Sequence, residues 1–269
     1  DGYPVPAVHG FASFLLKLIA DDRPTHLALT FDKSLTTSFR NDVYPRYKAD
    51  RPPPPPDLLR QLEACEEMAR ALGAAVFASE RYEADDLIAT LDHNLEREGV
   101  RAIVVTSDKD LAQLVSERVE LFDFAKGERF GPAEVLAKFG VPPQGIPHLL
   151  ALAGDPVDSI PGVAGIGKKS AVELLARFGT VPELFARLEE VPAVSQLRGA
   201  KALAAKLEAG RDLAFLSLDL ATVARNAPEA QAAGARDLVY RGPDFARLEP
   251  LCERLGFKGL RDRAAKLSG

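Results

Sequence analysis

The 269-residue sequence has few cysteines and histidines and no long apolar run, and each shortage excludes a class of protein. Cys65 and Cys252 lie far apart and outside any Cys-x-x-Cys pair, which predicts buried free thiols in a reducing, cytoplasmic compartment. The four histidines share no short ligand spacing, so a zinc site is not expected. Polar residues interrupt the longest apolar stretches, such as Phe11–Ile19, well before the roughly 18 residues that span a bilayer. We therefore expect neither membrane association nor a secretory leader.

The remaining composition is that of a soluble globular protein that folds by itself. Hydrophobic residues make up 46% and charged residues 27%, with a mean hydropathy of -0.06, so a disordered chain is excluded. The length allows one large domain or two moderate ones. Residues 1–154 carry 17 Lys/Arg against 24 Asp/Glu, and residues 155–269 carry 17 against 15. An acidic half therefore precedes a weakly basic one, which alone is faint evidence for a nucleic-acid partner.

The first half alternates between strand and helix patterns. Four short runs are rich in β-forming residues: His26–Phe31, Ala75–Ala78, Ala102–Thr106 and Val119–Phe122. Three other segments repeat apolar residues at three- and four-residue spacing: Ala7–Ile19, Leu58–Leu72 and Ala84–Glu98. This alternation predicts an α/β domain over residues 1–130, with a largely parallel sheet flanked by helices.

The second half shows short amphipathic segments separated by Gly and Pro. They are Pro132–Phe139, Ile146–Ala153, Lys168–Phe178, Pro182–Leu188, Gly199–Leu207 and Phe245–Leu255. Strand-like runs are scarce there, so we expect a helical domain over residues 131–269. In the first half, the five prolines at Pro52–Pro56 end any helix that contains Tyr44–Arg51 and impose an extended connector.

Acidic residues gather at the ends of the predicted elements. They form four groups: Asp32; Glu83, Asp85 and Asp86; Asp108 and Asp110; Asp155 and Asp158. Each group alone is explained equally well as a helix cap or a solvated carboxylate. An α/β fold can bring all four together, because the carboxyl ends of parallel strands share one edge where ligand sites form. Carboxylates so placed raise one another's pKa unless cations neutralise them.

The type of ligand indicates which cation would do so. Oxygen donors without His or Cys favour hard ions, Mg2+ or Mn2+, and eight carboxylates are enough for two ions. Two such ions about 4 Å apart can hold a phosphodiester between an attacking hydroxide and a leaving oxygen. The acidic groups therefore predict a two-metal site for phosphodiester hydrolysis.

A second pattern combines aromatic rings and cations. Tyr44, Tyr47, Lys48 and Arg51 fall at i, i+3, i+4 and i+7, which on a helix puts them on one face. Stacking rings beside cations are typical of a surface that holds single-stranded nucleic acid. For Tyr44, packing of the ring on the core is a competing interpretation.

The glycine-rich stretch Gly162–Ser170 imitates a phosphate-binding loop of nucleotide hydrolases. Lys169 stands where that loop requires Ser or Thr, and Pro161 precedes it in place of an apolar strand, so ATP binding is not expected. Gly165 and Gly167, leading into Lys168, Lys169 and Ser170, instead favour a helix-hairpin-helix turn whose backbone N–H groups approach a phosphate.

Five segments in this order resemble the 5'-3' exonuclease and flap endonuclease superfamily, in particular a free-standing bacterial form of the 5' nuclease domain of DNA polymerase I. They are Phe31–Asp32 with Ser38–Arg40, Tyr44–Arg51, Tyr82–Asp86, Ser107–Leu111 and Gly154–Lys168. The resemblance extends from about residue 5 to about residue 180. It implies an α/β nuclease domain with a helical arch at about residues 36–60, and a helix-hairpin-helix motif at about residues 154–178.

The resemblance also implies roles for individual residues. Asp32, Glu83 and Asp85 match the ligands of one metal, and Asp108, Asp110 and Asp158 match those of the other. Asp86 and Asp155 take supporting positions. Arg40 and Lys48 match the basic residues that face the scissile phosphate. The hairpin turn is expected to hold a potassium ion that bridges to duplex DNA.

One part of the family pattern is missing from the printed sequence. The family begins with an apolar strand ending in a metal-binding Asp, some 30 residues before the match to Val5–Phe11, and Asp1 is not expected to replace it. We therefore expect a metal-dependent, structure-selective 5' nuclease that acts on DNA in replication and repair, as a monomer and with a DNA polymerase as partner. The alternatives are a catalytically impaired DNA-structure-binding protein and, less favoured, an RNA-directed nuclease of PIN type.

Overall fold

The computed structural model describes residues 5–33, 36–194 and 199–267, so Asp1 lies outside the described residues. The strands are β1 (Ala28–Asp32), β2 (Ala75–Ser79), β3 (Ala102–Val105), β4 (Val119–Asp123) and β5 (Glu128–Phe130). The helices are α1 (Pro6–Asp22), α2 (Phe39–Val43), α3 (Pro56–Ala71), α4 (Ala84–Arg97), α5 (Pro132–Phe139), α6 (Ile146–Ala153), α7 (Lys168–Phe178), α8 (Val181–Ala186), α9 (Ala200–Ala209), α10 (Arg211–Ala221), α11 (Pro228–Gln231), α12 (Phe245–Leu255) and α13 (Leu260–Ala265).

Two compact units are each built from separate stretches of the chain. One contains residues 1–35, 52–98 and 226–269, and the other contains residues 36–51 and 99–225. Each unit has its own sheet: β1 pairs in parallel with β2, while β4 pairs in parallel with β3 and antiparallel with β5. The division into domains at residue 130 remains a prediction.

The first unit has its core between α1 and α3. Helix α1 has Pro6 at its first position, and Arg23 caps its C-terminus: the Arg23 backbone is left-handed (φ 45°), and its N–H donates a hydrogen bond to the Ile19 carbonyl. One face of α1 buries Leu15 and Ile19, and α3 contributes Met68 to the same unit's core. Cys65 is also buried and unpaired, as predicted, and burial raises the pKa of its thiol to about 11.

The second unit places helices around α6 and α7. Leu152, Leu174, Leu184 and Leu207 are almost fully buried there.

The four predicted strands and the predicted helices of the second half are confirmed to within a few residues. The sequence patterns did not predict α10 or the short strand β5. Among the residues that the structure describes, no helix is long and apolar enough to cross a membrane.

Candidate functional site

The first predicted acidic group meets at the end of β1. Asp32 is the last residue of β1, and its Oδ1 accepts a hydrogen bond from the backbone N–H of Ala84 at 2.7 Å. Ala84 is the first residue of α4, flanked by Glu83 and Asp85. The parallel pairing of β1 with β2 positions this strand end, so the structure brings Asp32 to the turn that carries Glu83 and Asp85.

Asp86 in the same turn has a structural task. Its Oδ2 accepts a hydrogen bond from the backbone N–H of Glu83 at 3.0 Å, which completes a capping box at the start of α4. The residue is 0% exposed. Asp86 therefore fixes the turn that carries Glu83 and Asp85.

The second acidic group follows β3. Thr106 Oγ1 accepts from the backbone N–H of Asp108 at 2.9 Å, and Asp108 Oδ1 accepts from the backbone N–H of Asp110 at 2.9 Å. These two bonds hold both carboxylates on one tight turn. Burial, followed by the charge of Asp108, raises the pKa of Asp110 to about 7. Within the described residues, the buried Oδ1 of Asp110 has no hydrogen-bond partner.

Asp155 lies in the loop that leaves α6. It forms an antiparallel bridge with Ile160, closed by backbone bonds of 3.0 and 2.8 Å, so residues 155–160 make a compact turn. Asp155 is 2% exposed, and its Oδ2 lies 2.8 Å from the ammonium group of Lys109. Its buried charge is therefore paired within the protein.

Asp158 is held by two cations of the segment that precedes the proline run. Arg51 Nη2 lies 2.5 Å from Asp158 Oδ1, and Lys48 Nζ lies 3.6 Å from Oδ2. The backbone N–H of Lys48 also donates to the Asp158 carbonyl at 3.1 Å. Lys48 has a left-handed backbone with φ 54°, a conformation that non-glycine residues rarely adopt.

The predicted ligands are all carboxylates, which suit a hard cation. In this structure, however, they do not lie close enough together to coordinate an ion. Within residues 5–33, 36–194 and 199–267, no group of three His, Cys, Asp or Glu side chains is placed to hold a metal ion. Lysine and arginine side chains neutralise Asp155 and Asp158 instead. Among the described residues, Asp110 is the one carboxylate with a buried oxygen that has no hydrogen-bond partner.

The predicted helix over Tyr44–Arg51 is wrong. Helix α2 ends at Val43, just before Tyr44, and residues 45–50 form turns instead of a helix. Pro45 explains the break, because proline lacks an N–H and disfavours helical backbone at the residue before it. Tyr44 accordingly has φ -141° and ψ 97°, which is extended. The four residues therefore do not share one helical face.

The side chains of Arg40, in α2, and Tyr47, in the turns that follow it, are both buried. Arg40 is 3% exposed; its Nε and Nη2 donate to the carbonyls of Leu220 and Thr222, each at 2.9 Å. Tyr47 is also 3% exposed. Arg40 therefore anchors α2 to the end of α10. The phosphate contact of Arg40 and the base stacking of Tyr47 stay predictions. Tyr44 is half-buried.

The glycine-rich stretch forms the predicted hairpin between α6 and α7. Gly162 has φ 61°, and a Cβ there would lie 2.3 Å from the backbone nitrogen of Gly154, so only glycine fits. Gly167 precedes α7, and Lys168 and Lys169 stand exposed in its first turn, while Ser170 is half-buried. Lysines at a helix N-terminus face the positive end of the dipole, an arrangement that an anion would relieve.

Sequence patterns missed two lysines near these positions. Lys109, which pairs with Asp155, stands between Asp108 and Asp110, and this alternation of charge was the available signal. Lys206 donates to the carbonyl of Gly165 at 3.0 Å and supports the hairpin turn from α9. No local pattern marks Lys206, because 41 residues separate it from the turn.

Comparison with known proteins identifies the family. The model of the 5'-3' exonuclease N-terminal resolvase-like domain matches residues 1–140, and that of the 5'-3' exonuclease C-terminal SAM fold matches residues 141–246. The chain belongs to the 5'-3' exonuclease family. The predicted resemblance to the 5'-3' exonuclease family is thereby confirmed.

Relatives of this 5'-3' exonuclease family member include much longer proteins. DNA polymerase I of Bacillus caldotenax is 38% identical over 266 residues, which cover 97% of this chain and 29% of that protein. DNA polymerase I of Bacillus subtilis (strain 168) is 36% identical over 267 residues, with the same two coverages of 97% and 29%. The chain thus spans about 29% of the length of these relatives.

Solved structures share the fold. T5 5'-exonuclease with bound zinc superposes with a TM-score of 0.69 at 19% identity, covering 99% of this chain and 92% of that one. The catalytic core of Rad2 in complex with DNA substrate gives a TM-score of 0.62 at 16% identity, covering 97% and 82%. The predicted α/β class is confirmed.

Proposed function

We propose that this chain is a metal-dependent, structure-selective 5' nuclease that hydrolyses phosphodiesters of DNA with 5' ends or flaps in replication and repair. One observation carries the proposal: Asp108 and Asp110 stand on one turn after β3, and Asp110 presents a buried carboxylate oxygen that lacks a partner within the described residues. A carboxylate so placed is stabilised by a bound cation.

Two groups of carboxylates would hold the ions, Mg2+ or Mn2+. Asp32, Glu83 and Asp85 would hold one, and Asp108, Asp110 and Asp158 the other. Bound ions would supply a hydroxide nucleophile and stabilise the leaving oxygen. Asp86 and Asp155 would orient these ligands, the first through its capping bond to Glu83 and the second through its contact with Lys109.

The cations of this chain would bind the DNA. Lys48 and Arg51, which border the carboxylate of Asp158, would contact phosphate next to the reacting centre. Lys168 and Lys169, on the exposed first turn of α7, would contact the duplex beyond it. A potassium ion at the hairpin is part of the proposal; its ligands would be main-chain oxygens other than that of Gly165, which accepts from Lys206.

Cleavage of a labelled 5' flap at saturating Mg2+ or Mn2+ tests this function. Asp108→Asn should abolish cleavage and leave DNA binding nearly intact, because the carboxylate holds metal and contributes little to phosphate contact. Asp21→Asn, at an exposed position of α1, is the matched control and should change neither. Equal loss of binding and cleavage in Asp108→Asn would contradict the metal role.

A catalytically impaired DNA-structure-binding protein is the second candidate. It is favoured by the absence, among the described residues, of three acidic side chains gathered as metal ligands. Flap binding with no cleavage in either metal would support this candidate. Cleavage of single-stranded RNA in preference to the flap would support an RNA-directed nuclease instead.

Three further proposals concern the cellular setting. A DNA polymerase as functional partner is supported by the relatives, which are named DNA polymerase I. Cytoplasmic location is supported by the two free buried thiols, Cys65 and Cys252. A monomeric state is proposed as well, and light scattering measures it directly.

A further inference from the structure

Two lysines from different helices converge on one aromatic ring in the second unit. The ammonium group of Lys138, in the last turn of α5, lies 5.8 Å from the centroid of the Phe139 ring, and that of Lys168, at the start of α7, lies 5.2 Å from it. Lys138 also lies 4.0 Å from the centroid of Phe130, the last residue of β5. Cation–π attraction at these distances offsets part of the repulsion between the two ammonium groups.

The backbone holds the two helices in this arrangement. Gly140 ends α5 with φ 80°, and a Cβ at Gly140 would lie 3.0 Å from Val172 Cγ1 of α7. The end of α5 is therefore packed directly against α7. The position of Lys138 beside Lys168 follows from this packing rather than from a chance meeting of long side chains.

No acidic side chain of the described residues neutralises either lysine. Within the part of the chain that the structure describes, no carboxylate lies within 4.0 Å of Lys138 or Lys168, and both side chains are exposed. Other lysines of the same unit are paired: Lys109 with Asp155, and Lys126 with Asp123. The pair around Phe139 therefore presents positive charge to solvent.

We propose that Lys138, Phe139 and Phe130 extend the duplex-binding surface of the hairpin, with Lys138 contacting a backbone phosphate beyond the one bound by Lys168. This inference rests on the proposed function. The ligand is a phosphate rather than a base, because ammonium groups already occupy the ring faces on which a base would stack. Phe139 is a positioning residue that holds both cations.

The salt dependence of DNA binding tests the contact. Affinities for a flap substrate with a long duplex arm are measured between 50 and 200 mM KCl, a range chosen because phosphate contacts respond strongly there. Lys138→Gln should weaken binding and lower the slope of log affinity against log salt by about 1. Lys17→Gln, which removes an exposed lysine of α1 that pairs with Asp21, should leave the slope unchanged. An unchanged slope in Lys138→Gln overturns the inference.

The positioning role has its own variant. Phe139→Leu keeps the apolar volume but removes the ring quadrupole, and should weaken duplex binding by roughly two- to fivefold. Circular dichroism and the unfolding midpoint establish that the variant is folded. Loss of affinity for single-stranded DNA alone would show base stacking and would overturn the phosphate assignment.

The experiment separates this inference from the proposed function. If the unmodified chain binds no flap DNA, the proposed function fails. If it binds flap DNA with a normal salt slope that Lys138→Gln leaves unchanged while Lys168→Gln lowers it, only the extension fails.

Discussion

Arg51 and Asp158 form a charged hydrogen bond of 2.5 Å between the segment before the proline run and the loop after α6. Lys48 completes the arrangement with its ammonium group 3.6 Å from the same carboxylate. A residue predicted to bind DNA thus pairs with a residue predicted to bind metal. The Asp158 carboxylate cannot bind a metal ion and the Arg51 guanidinium with full strength at the same time. Metal binding at Asp158 and phosphate binding by Arg51 should therefore be coupled.

Arg51→Gln tests this coupling. Removing the guanidinium removes a competitor for Asp158, so Mn2+ should bind more tightly, by roughly tenfold, the equivalent of one charged hydrogen bond. DNA affinity should fall in the same variant. Titration calorimetry measures the first effect, and the exposed Arg46→Gln is the matched control. Unchanged Mn2+ affinity would show that the ion pair does not compete with metal.

Asp110→Asn should stabilise the metal-free protein at pH 8. The folded-state pKa of about 7 lies above the ordinary value of 3.8, so the folded state binds more protons between these values and loses stability as pH rises. The charge penalty is complete above pH 7. At 1.36 kcal/mol per pKa unit, the largest loss of folding free energy from this charge is about 4 kcal/mol. Solvent screening reduces the stability that Asp110→Asn should recover to about 1–2 kcal/mol.

Thermal unfolding in EDTA at two pH values measures this effect. At about pH 4, where the carboxyl is protonated in the folded chain, the variant and the unmodified protein should unfold at nearly the same temperature. Asp21→Asn serves as the exposed control at both pH values. An equal gain at both pH values would point to packing instead of charge.

Lys168→Ala with Lys169→Ala should weaken duplex binding. Removing two phosphate contacts lowers the slope of log affinity against log salt by up to about 2. The same substitutions take cations away from the positive end of α7, so the unfolding temperature should stay constant or rise slightly. A slope equal to that of the unmodified chain would place both lysines away from DNA.

Adding an N-terminal strand that ends in Asp should increase activity. Within the described residues, β1 pairs only with β2 and β3 only with β4, and Ile103 of β3 is 48% exposed. An added strand ending in Asp would supply a carboxylate ligand and pair free backbone groups. We expect the extended chain to cleave a flap with Mg2+ much faster than the 269-residue chain does. Metal retention should improve most at Asp32, Glu83 and Asp85.

Both forms are purified and assayed at saturating Mg2+. Addition of the same strand ending in Asn is the control, because it provides backbone pairing without the carboxylate. Robust, equal cleavage by the short chain would show that the first carboxylate is replaced, and the assignment of Asp32, Glu83 and Asp85 to one ion would be wrong.

Local patterns in the sequence determined the elements and the positions of the acidic groups. Strands such as Ala75–Ser79 and helices such as Lys168–Phe178 were predictable because apolar periodicity and glycine or proline boundaries act over a few residues. The same locality placed Asp32 at a strand end and Asp108 and Asp110 on one turn. Local patterns gave the wrong result at Tyr44–Arg51: the residues have helical spacing, but Pro45 prevents a helix there.

Tertiary structure alone decided which charges are paired. Arg40 fits the basic pattern of a substrate-facing residue, yet its guanidinium is buried because carbonyls 180 and 182 residues away accept its hydrogen bonds. Lys109 neutralises Asp155, and Arg51 neutralises Asp158, across 46 and 107 residues. Such contacts depend on chain folding that no short window of sequence contains, and burial then sets their strength by excluding water.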